Sequence, residues 1–255
     1  MKDISKIFWI TGIFLAIAAF FVINVPIKPE MAFISGIFII GLSLPCYFAV
    51  ITWLGLKKSV LFLIIMSIYA ISIETLAIIT GYPYSQFVYT NLIGFKIFGY
   101  TPYTVPFAYV PLFIGSIYLA TLKTRTYWKI ILLTAFLVLI TDLVLDPAAV
   151  ALNFWTYFDS GVFYGVPWMN FVGWILTGAL AALISIVVLK GELINKNKPK
   201  ALISSLFLIL CFWTSVCFYL KLWLPGIIGI LFIIFVLSET KGKIGDFEIK
   251  NVNDQ

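Results

Sequence analysis

Three acidic residues lie inside long apolar runs of this sequence, where the hydrocarbon of a bilayer would surround them. They are Glu74, Asp142 and Asp146. An ionised carboxylate at that depth is costly unless it is paired, hydrated or protonated, so each acid is a candidate for a functional site. The sequence contains no histidine. Carboxyl groups are therefore the side chains best suited to proton transfer near neutral pH.

Asp142 and Asp146 are four residues apart, so a helix places them on one face, about 6 Å from each other. Two like charges that close in a low dielectric cannot both ionise cheaply, and one of the pair should keep its proton at neutral pH. Pro147 follows directly and removes a backbone donor, which predicts a kink in the helix. The freed backbone carbonyl further predicts a small hydrated cavity beside the acids.

The elements that must position these acids are transmembrane helices. Only 11% of the residues are charged and the mean hydropathy is +1.09, which excludes a soluble domain, where about 25% are charged. We predict an all-α transmembrane bundle and one integral membrane domain over 1–255.

The first apolar run is too long for a signal-peptide core, so we expect it to be retained. Lys221 separates two short final runs, which leaves seven spans as an alternative to eight. The eight predicted spans are about 7–25, 32–54, 60–79, 105–122, 129–151, 166–189, 201–219 and 222–238.

The distribution of positive charge predicts how these spans are oriented. With the N-terminus inside, only Lys28, Lys96 and Lys221 of the 17 Lys and Arg residues fall outside. This asymmetry follows the positive-inside rule and predicts a cell-membrane protein with both termini cytoplasmic. The net charge of +6 therefore does not indicate a nucleic-acid partner.

On this topology the acids lie in the outer halves of the third and fifth spans. Two long external loops, 81–104 and 152–165, join the same helices and are rich in aromatic residues, glycine and proline. Asn170 stands in the first turn of the sixth span, where it either satisfies free backbone donors or positions water or substrate. Trp155, Trp174 and Tyr82 fit an interfacial belt, and a subset of such rings could stabilise a cation.

No metal or cofactor site is expected from the remaining residue types. Cys46, Cys211 and Cys217 lack paired-ligand spacing and fit packed apolar positions. The spacing of Asp142 and Asp146 also suggests a prenyltransferase that binds a magnesium diphosphate. That alternative is disfavoured because the only arginine, Arg125, falls on the opposite side of the membrane.

A longer pattern across residues 74–174 resembles the carotenoid hydratase family, which includes bisanhydrobacterioruberin hydratases and carotenoid 1,2-hydratases. The flanking helices are similar to the family in hydropathy and length alone. The residues that carry the resemblance are Glu74, Thr80-Gly81, Gly94-x-Lys96-x-x-Gly99, Pro102, Pro106, Asp142, Asp146-Pro147, Trp155-x-Tyr157, Gly161-x-x-Tyr164-Gly165-Val166-Pro167 and Asn170-Phe171-x-Gly173-Trp174.

The resemblance implies addition of water to the terminal double bond of an acyclic carotenoid, possibly a C50 compound, giving a tertiary alcohol. Asp142 and Asp146 would be the coupled proton donor and acceptor, and Glu74 would stabilise the cation or position water. No metal, nucleotide or redox cofactor is required, and the partners would be the carotenoid, the bilayer and other carotenoid enzymes. The residues expected to bind substrate are Asn170, Trp174, Trp155, Tyr164 and Tyr82.

Three other functions stay open from the sequence. A lycopene-cyclase-like isomerase shares the protonation step but then loses a proton. A proton-coupled transporter also needs intramembrane acids, although the first two and last two spans supply few polar groups. A scaffold in which Glu74 only packs against a neighbouring helix is the third.

Overall fold

The computed structural model describes residues 3–25, 28–195 and 197–249. Within these ranges eight helices are long and apolar enough to cross a bilayer, which confirms the all-α membrane bundle and selects eight spans over seven. The long helices are α1 (Ser5–Asn24), α2 (Ala32–Leu54), α3 (Leu56–Thr80), α4 (Val105–Lys123), α5 (Tyr127–Ala151), α6 (Trp168–Leu189), α8 (Ser204–Tyr219) and α9 (Trp223–Thr240), with the short α7 (Glu192–Asn195) after α6.

Glycine and proline occur at two of the helix ends. Gly81 adopts a left-handed conformation with φ of +79°, and its N–H donates to the Ala77 carbonyl at 2.7 Å, which ends α3. Pro106 stands in the first turn of α4, where the missing N–H costs nothing. α5 continues as a helix through Pro147 to Ala151. The third span begins at Leu56, earlier than the predicted residue 60, because Gly55 alone separates α2 from α3.

Two of the long helices form the core of the bundle, and the other long helices surround them. α4 and the segment Lys200–Tyr219 are buried over most of their length, whereas each of the other spans has less than half of its residues buried. The exposed side chains are largely apolar, for example Phe14 and Ile37, as expected for a surface solvated by lipid tails. α5 packs along α6, and α1 packs along α8.

Short strands organise the two long loops. β1 (Phe87–Tyr89) in the first loop pairs antiparallel with β4 (Trp155–Tyr157) in the second, with Val88 opposite Thr156. β2 (Lys96–Ile97) pairs with β3 (Thr101–Pro102) inside the first loop. The β1–β4 pair fastens the loop after α3 to the loop after α5. It therefore holds together the ends of the two helices that carry the acids.

Candidate active site

Glu74 lies near the loop end of α3 and is completely buried. Its Oε1 accepts a hydrogen bond from the Tyr89 hydroxyl at 2.6 Å. Its Oε2 accepts one from the Tyr109 hydroxyl at 2.5 Å. Short bonds of this kind are typical of a hydroxyl that donates to a charged oxygen. The two tyrosines, one from β1 and one from α4, thus hold both carboxyl oxygens in place.

Asp142 and Asp146 lie near the loop end of α5 and share one hydrogen-bond donor. Asn170 Nδ2 donates to Asp142 Oδ2 at 2.8 Å and to Asp146 Oδ2 at 2.7 Å. The Tyr157 hydroxyl also donates to Asp146 Oδ2, at 2.7 Å. Asp142 Oδ1 is buried and has no hydrogen-bond partner in the described part of the chain. The two acids are therefore supported unequally.

The strand period explains how the loops supply tyrosines to both acid sites. In β1 and β4 the middle residues Val88 and Thr156 are exposed, while the residues on either side are at least partly buried. Side chains alternate between faces along a strand, so Tyr89 and Tyr157 both point toward the helices. Burial, followed by the charge of the neighbouring acid, raises the pKa of Tyr89 and of Tyr157 well above the ordinary value. Both hydroxyls therefore stay protonated and act as donors.

Aromatic rings form another wall of the site. Trp174 stacks on Tyr84 with ring centroids 5.4 Å apart and lies 4.8 Å from the Tyr109 ring. The Tyr84 hydroxyl is hydrogen-bonded to the Thr177 hydroxyl at 2.7 Å. The faces of such rings attract positive charge, so the wall suits a reaction in which a cation develops.

The acids and rings surround an apolar cavity of about 420 Å³. Glu74, Asp142, Asp146, Asn170, Trp155 and Trp174 all line it. Its volume lies in the range of roughly 300–1,000 Å³ that is usual for ligand pockets. The structure therefore brings six of the eight residues singled out from the sequence to one space.

Tyr82 and Tyr164 do not line the cavity. Because Gly81 reverses the chain, Tyr82 turns outward with 69% of its surface exposed, and Tyr84 takes the inward position at 2%. Tyr164 has a φ of +53° in a tight turn, and its ring packs on Phe163 in the same loop. On the loop side, Tyr84 lines the cavity in place of Tyr82 and Tyr164.

From the sequence alone, Tyr84 fits the interfacial belt and Tyr157 belongs to the Trp155-x-Tyr157 motif, whereas Tyr89 and Tyr109 have no expected role. Alternation of inward aromatic residues in 87–89 and 155–157 is a signal that could have identified Tyr89 and Tyr157. Tyr109 lies in an apolar helix and gives no such signal. Asn170 was expected either to satisfy backbone donors or to position water or substrate. Its Nδ2 donates to both aspartates, and its side chain lines the cavity.

In the described residues, no group of three or more His, Cys, Asp or Glu side chains is arranged to hold a metal ion. The cysteines Cys46, Cys211 and Cys217 are free thiols. Cys46 and Cys217 are buried, and the Cys217 thiol donates to the Val144 carbonyl at 3.2 Å, as expected for small packed side chains.

Comparison with known proteins agrees with the resemblance seen in the motifs. The chain is 36% identical over 132 residues to bisanhydrobacterioruberin hydratase of Haloarcula japonica, a match that covers 50% of this chain and 45% of the relative. The match therefore spans about half the length of that curated relative. No solved structure gives a significant match. The family model for carotenoid biosynthesis proteins matches residues 30–236, and because this is most of the chain, the protein belongs to the carotenoid biosynthesis protein family.

Proposed function

We propose that this protein is a carotenoid hydratase, which adds water to the terminal trisubstituted double bond of a long acyclic carotenoid. The observation that carries the proposal is the placement of Glu74 and the Asp142–Asp146 pair in the wall of an apolar cavity. Proton donors facing such a space can protonate an alkene, whereas a water-filled site would solvate the acids instead. The name of the Haloarcula relative supports the same reaction class.

In this mechanism Asp142 donates the proton. A buried carboxylate oxygen without a hydrogen bond costs more free energy when the group is charged than when it is neutral. Asp142 Oδ1 is such an oxygen, so the shared proton of the pair resides on Asp142. Asp146 accepts hydrogen bonds from both Tyr157 and Asn170, which favours its carboxylate form.

The reaction then balances without an additional reagent. Asp142 transfers its proton to the alkene CH carbon, the π electrons form the new C–H bond, and a tertiary carbocation remains at the adjacent carbon. The Trp174 ring and the Glu74 carboxylate stabilise that cation. A water molecule attacks the cation and gives one proton to Asp146, and transfer of that proton within the pair restores Asp142. The net change is the addition of one water, so the step requires no redox or nucleotide cofactor.

Pigment analysis tests this function. In cells that make an acyclic carotene, expression should yield a more polar pigment, heavier by the mass of one water per hydrated end. Growth in ¹⁸O-labelled water should place the label in the new hydroxyl. A pigment of unchanged mass that contains a ring would indicate a cyclase instead. An unchanged pigment profile with folded protein in the membrane would refute both reactions.

We also propose that the protein lies in the cell membrane with both termini cytoplasmic, so that the acids belong to the outer half of the bilayer. The Lys and Arg distribution supports this orientation. A cysteine replacing Val162, which is fully exposed in the second loop, should react with an impermeant maleimide in intact cells. A cysteine replacing Lys57 should react only after permeabilisation. The reverse labelling pattern would show that the protein has the opposite orientation.

A further inference from the structure

The cavity continues beyond the acids into a gap between α1 and α2. α1 packs along α8, and α2 packs against α3, α4 and α8, but α1 and α2 are not among the closely packed helix pairs. Side chains from the end of α1 and the start of α2 nevertheless line the same cavity as the acids. The gap is therefore an opening in the wall of the bundle.

The side chains at this opening are apolar and face outward. Phe21 on α1 and Val25 just after α1 are 57% and 51% exposed, and Ile34 on α2 is 48% exposed. All of them also line the cavity. A side chain that borders both the cavity and the lipid-facing surface marks a point where the two spaces meet. The opening thus connects the cavity sideways with the hydrocarbon of the bilayer, between the end of α1 and the start of α2, in the half of the bundle nearer the long loops.

Aromatic side chains from the loops and from α8 form other walls of the cavity. Phe87, Tyr89, Trp155 and Tyr157 of the β1–β4 pair cover the loop side, and Phe212 and Trp213 of α8 line the wall. Because these aromatic side chains lie between the cavity and the loops, we take the apolar gap as the entry route for a hydrocarbon dissolved in the bilayer. The cavity volume of about 420 Å³ suits one terminal segment of a long polyene, because roughly 300–1,000 Å³ already holds a drug-sized ligand.

We propose that the gap between α1 and α2 is a lateral portal, through which the end of a long acyclic polyene enters from the bilayer while the rest of the molecule stays in lipid. This inference rests on the proposed function for the identity of the polyene. It is independent of the chemistry, because a portal must admit the hydrocarbon whether or not hydration follows.

Plugging the portal tests the proposal. Val22→Trp on α1 and Ile34→Trp on α2 add bulk to side chains that line the gap. Ile17→Trp and Ile37→Trp are matched controls on the same helices, because these side chains are 50% and 66% exposed and do not line the cavity. The full-length protein is reconstituted in phosphatidylcholine vesicles containing an acyclic carotene. Binding is measured by the visible circular dichroism that the protein induces in the polyene, and hydration by product mass.

Both plugged variants should lose carotene binding and hydration by about tenfold or more, since an indole ring would overfill the space that the polyene must occupy. They should still hydrate a short isoprenoid hydrocarbon with the same terminal double bond, and both controls should match the wild type. Normal carotene binding in the plugged variants would overturn the portal. An equally large loss of hydration of the short hydrocarbon would also overturn it. So would an equally large loss of carotene binding in the controls, or a wild-type protein that does not bind carotene. A wild type that binds carotene without hydrating it would refute the proposed function alone, and the binding data would still decide the portal.

Discussion

Asp142 and Asp146 are joined through a single amide nitrogen, because Asn170 Nδ2 donates to the Oδ2 atoms of both. The pair lies one turn apart on α5, and the amide comes from the first turn of α6. Two carboxyl oxygens held against one nitrogen must lie close together, which favours a single shared proton. This bridge links the packing of α5 on α6 to the proton chemistry of the proposed site.

Replacing Asn170 tests the role of the bridge. Asn170→Leu keeps the side-chain volume nearly constant but removes both hydrogen bonds. Because a lost hydrogen bond to a buried charged group costs about 1–3 kcal/mol, we expect kcat for hydration to fall about tenfold to a hundredfold, with carotene binding retained. Thr141→Val is the control, since Thr141 is buried on α5 next to Asp142 and its hydroxyl donates to the Leu137 carbonyl. Equal losses in both variants would mean that general packing of α5, and not the bridge, limits the rate.

The two aspartates should behave as one unit. Asp142→Asn and Asp146→Asn should each lower the hydration rate by about 10²–10⁴-fold, the usual contribution of a general acid or base. The double variant should be little worse than either single one, because groups that share one proton-transfer step are not additive. Single-turnover assays would measure this. Asp159→Asn, in an exposed loop position, should retain wild-type activity, and a multiplicative double variant would argue against a coupled pair.

Tyr109 should stabilise the folded protein through Glu74. Tyr109→Phe leaves Glu74 Oε2 without its 2.5 Å donor, so the free energy of unfolding should fall by about 1–3 kcal/mol, and hydration should slow. Tyr69→Phe is a matched control, because the Tyr69 hydroxyl donates to the Thr177 backbone carbonyl and not to an acid. Denaturant titration of both variants in mixed micelles measures the free energy of unfolding, and product mass measures the hydration rate. If Tyr69→Phe slowed hydration as much as Tyr109→Phe, the specific support of Glu74 would be refuted.

Gly173 should be required for the aromatic wall. A Cβ at this position would lie 2.5 Å from Tyr84 Cδ1 and 2.6 Å from the Pro83 carbonyl oxygen. Gly173→Ala must therefore displace the segment that carries Tyr84, at a cost of about 1–3 kcal/mol. At Gly41, also in a long helix, an added Cβ meets nothing within 4 Å, so Gly41→Ala should be neutral or slightly stabilising. Thermal unfolding of the two variants would reveal the contrast, and equal melting temperatures would contradict it.

Lys198, on the side opposite the loops, should make stability depend on pH. Burial, with a smaller contribution from Arg125, lowers the pKa of Lys198 from 10.5 to about 8. The unfolded chain then binds more protons than the folded one between these two values, so stability should rise as pH increases from about 8 to 10.5. Lys198→Met should flatten this part of the pH profile of thermal inactivation. An unchanged slope in the variant would show that other groups cause the dependence.

Much of the fold follows from local properties of the sequence. A bilayer core needs roughly 20 apolar helical residues, so the lengths of the runs predicted the eight spans. Gly81 and Pro106 mark helix ends through backbone constraints of their own. The loop ends of α3 and α5 were also recognisable as the polar zone, because Glu74, Asp142 and Asp146 are costly in hydrocarbon wherever the helices pack.

The partners of those acids could not be predicted in the same way. Tyr109 reaches Glu74 only because α4 is rotated to present it, and Tyr84 faces inward only because the chain reverses at Gly81. Spans that are apolar on all sides give no sequence signal for their rotation. The proposed portal between α1 and α2 could not be predicted from the sequence either, because it depends on α1 packing against α8.

The sequence by itself determined that this is a membrane bundle with three acids near one end, because the cost of charge in hydrocarbon depends on residue type and depth. Only the tertiary structure decided which tyrosines and which amide hold those acids, and where lipid can reach them. Those relationships join residues far apart in the chain, and they depend on helix rotation and packing.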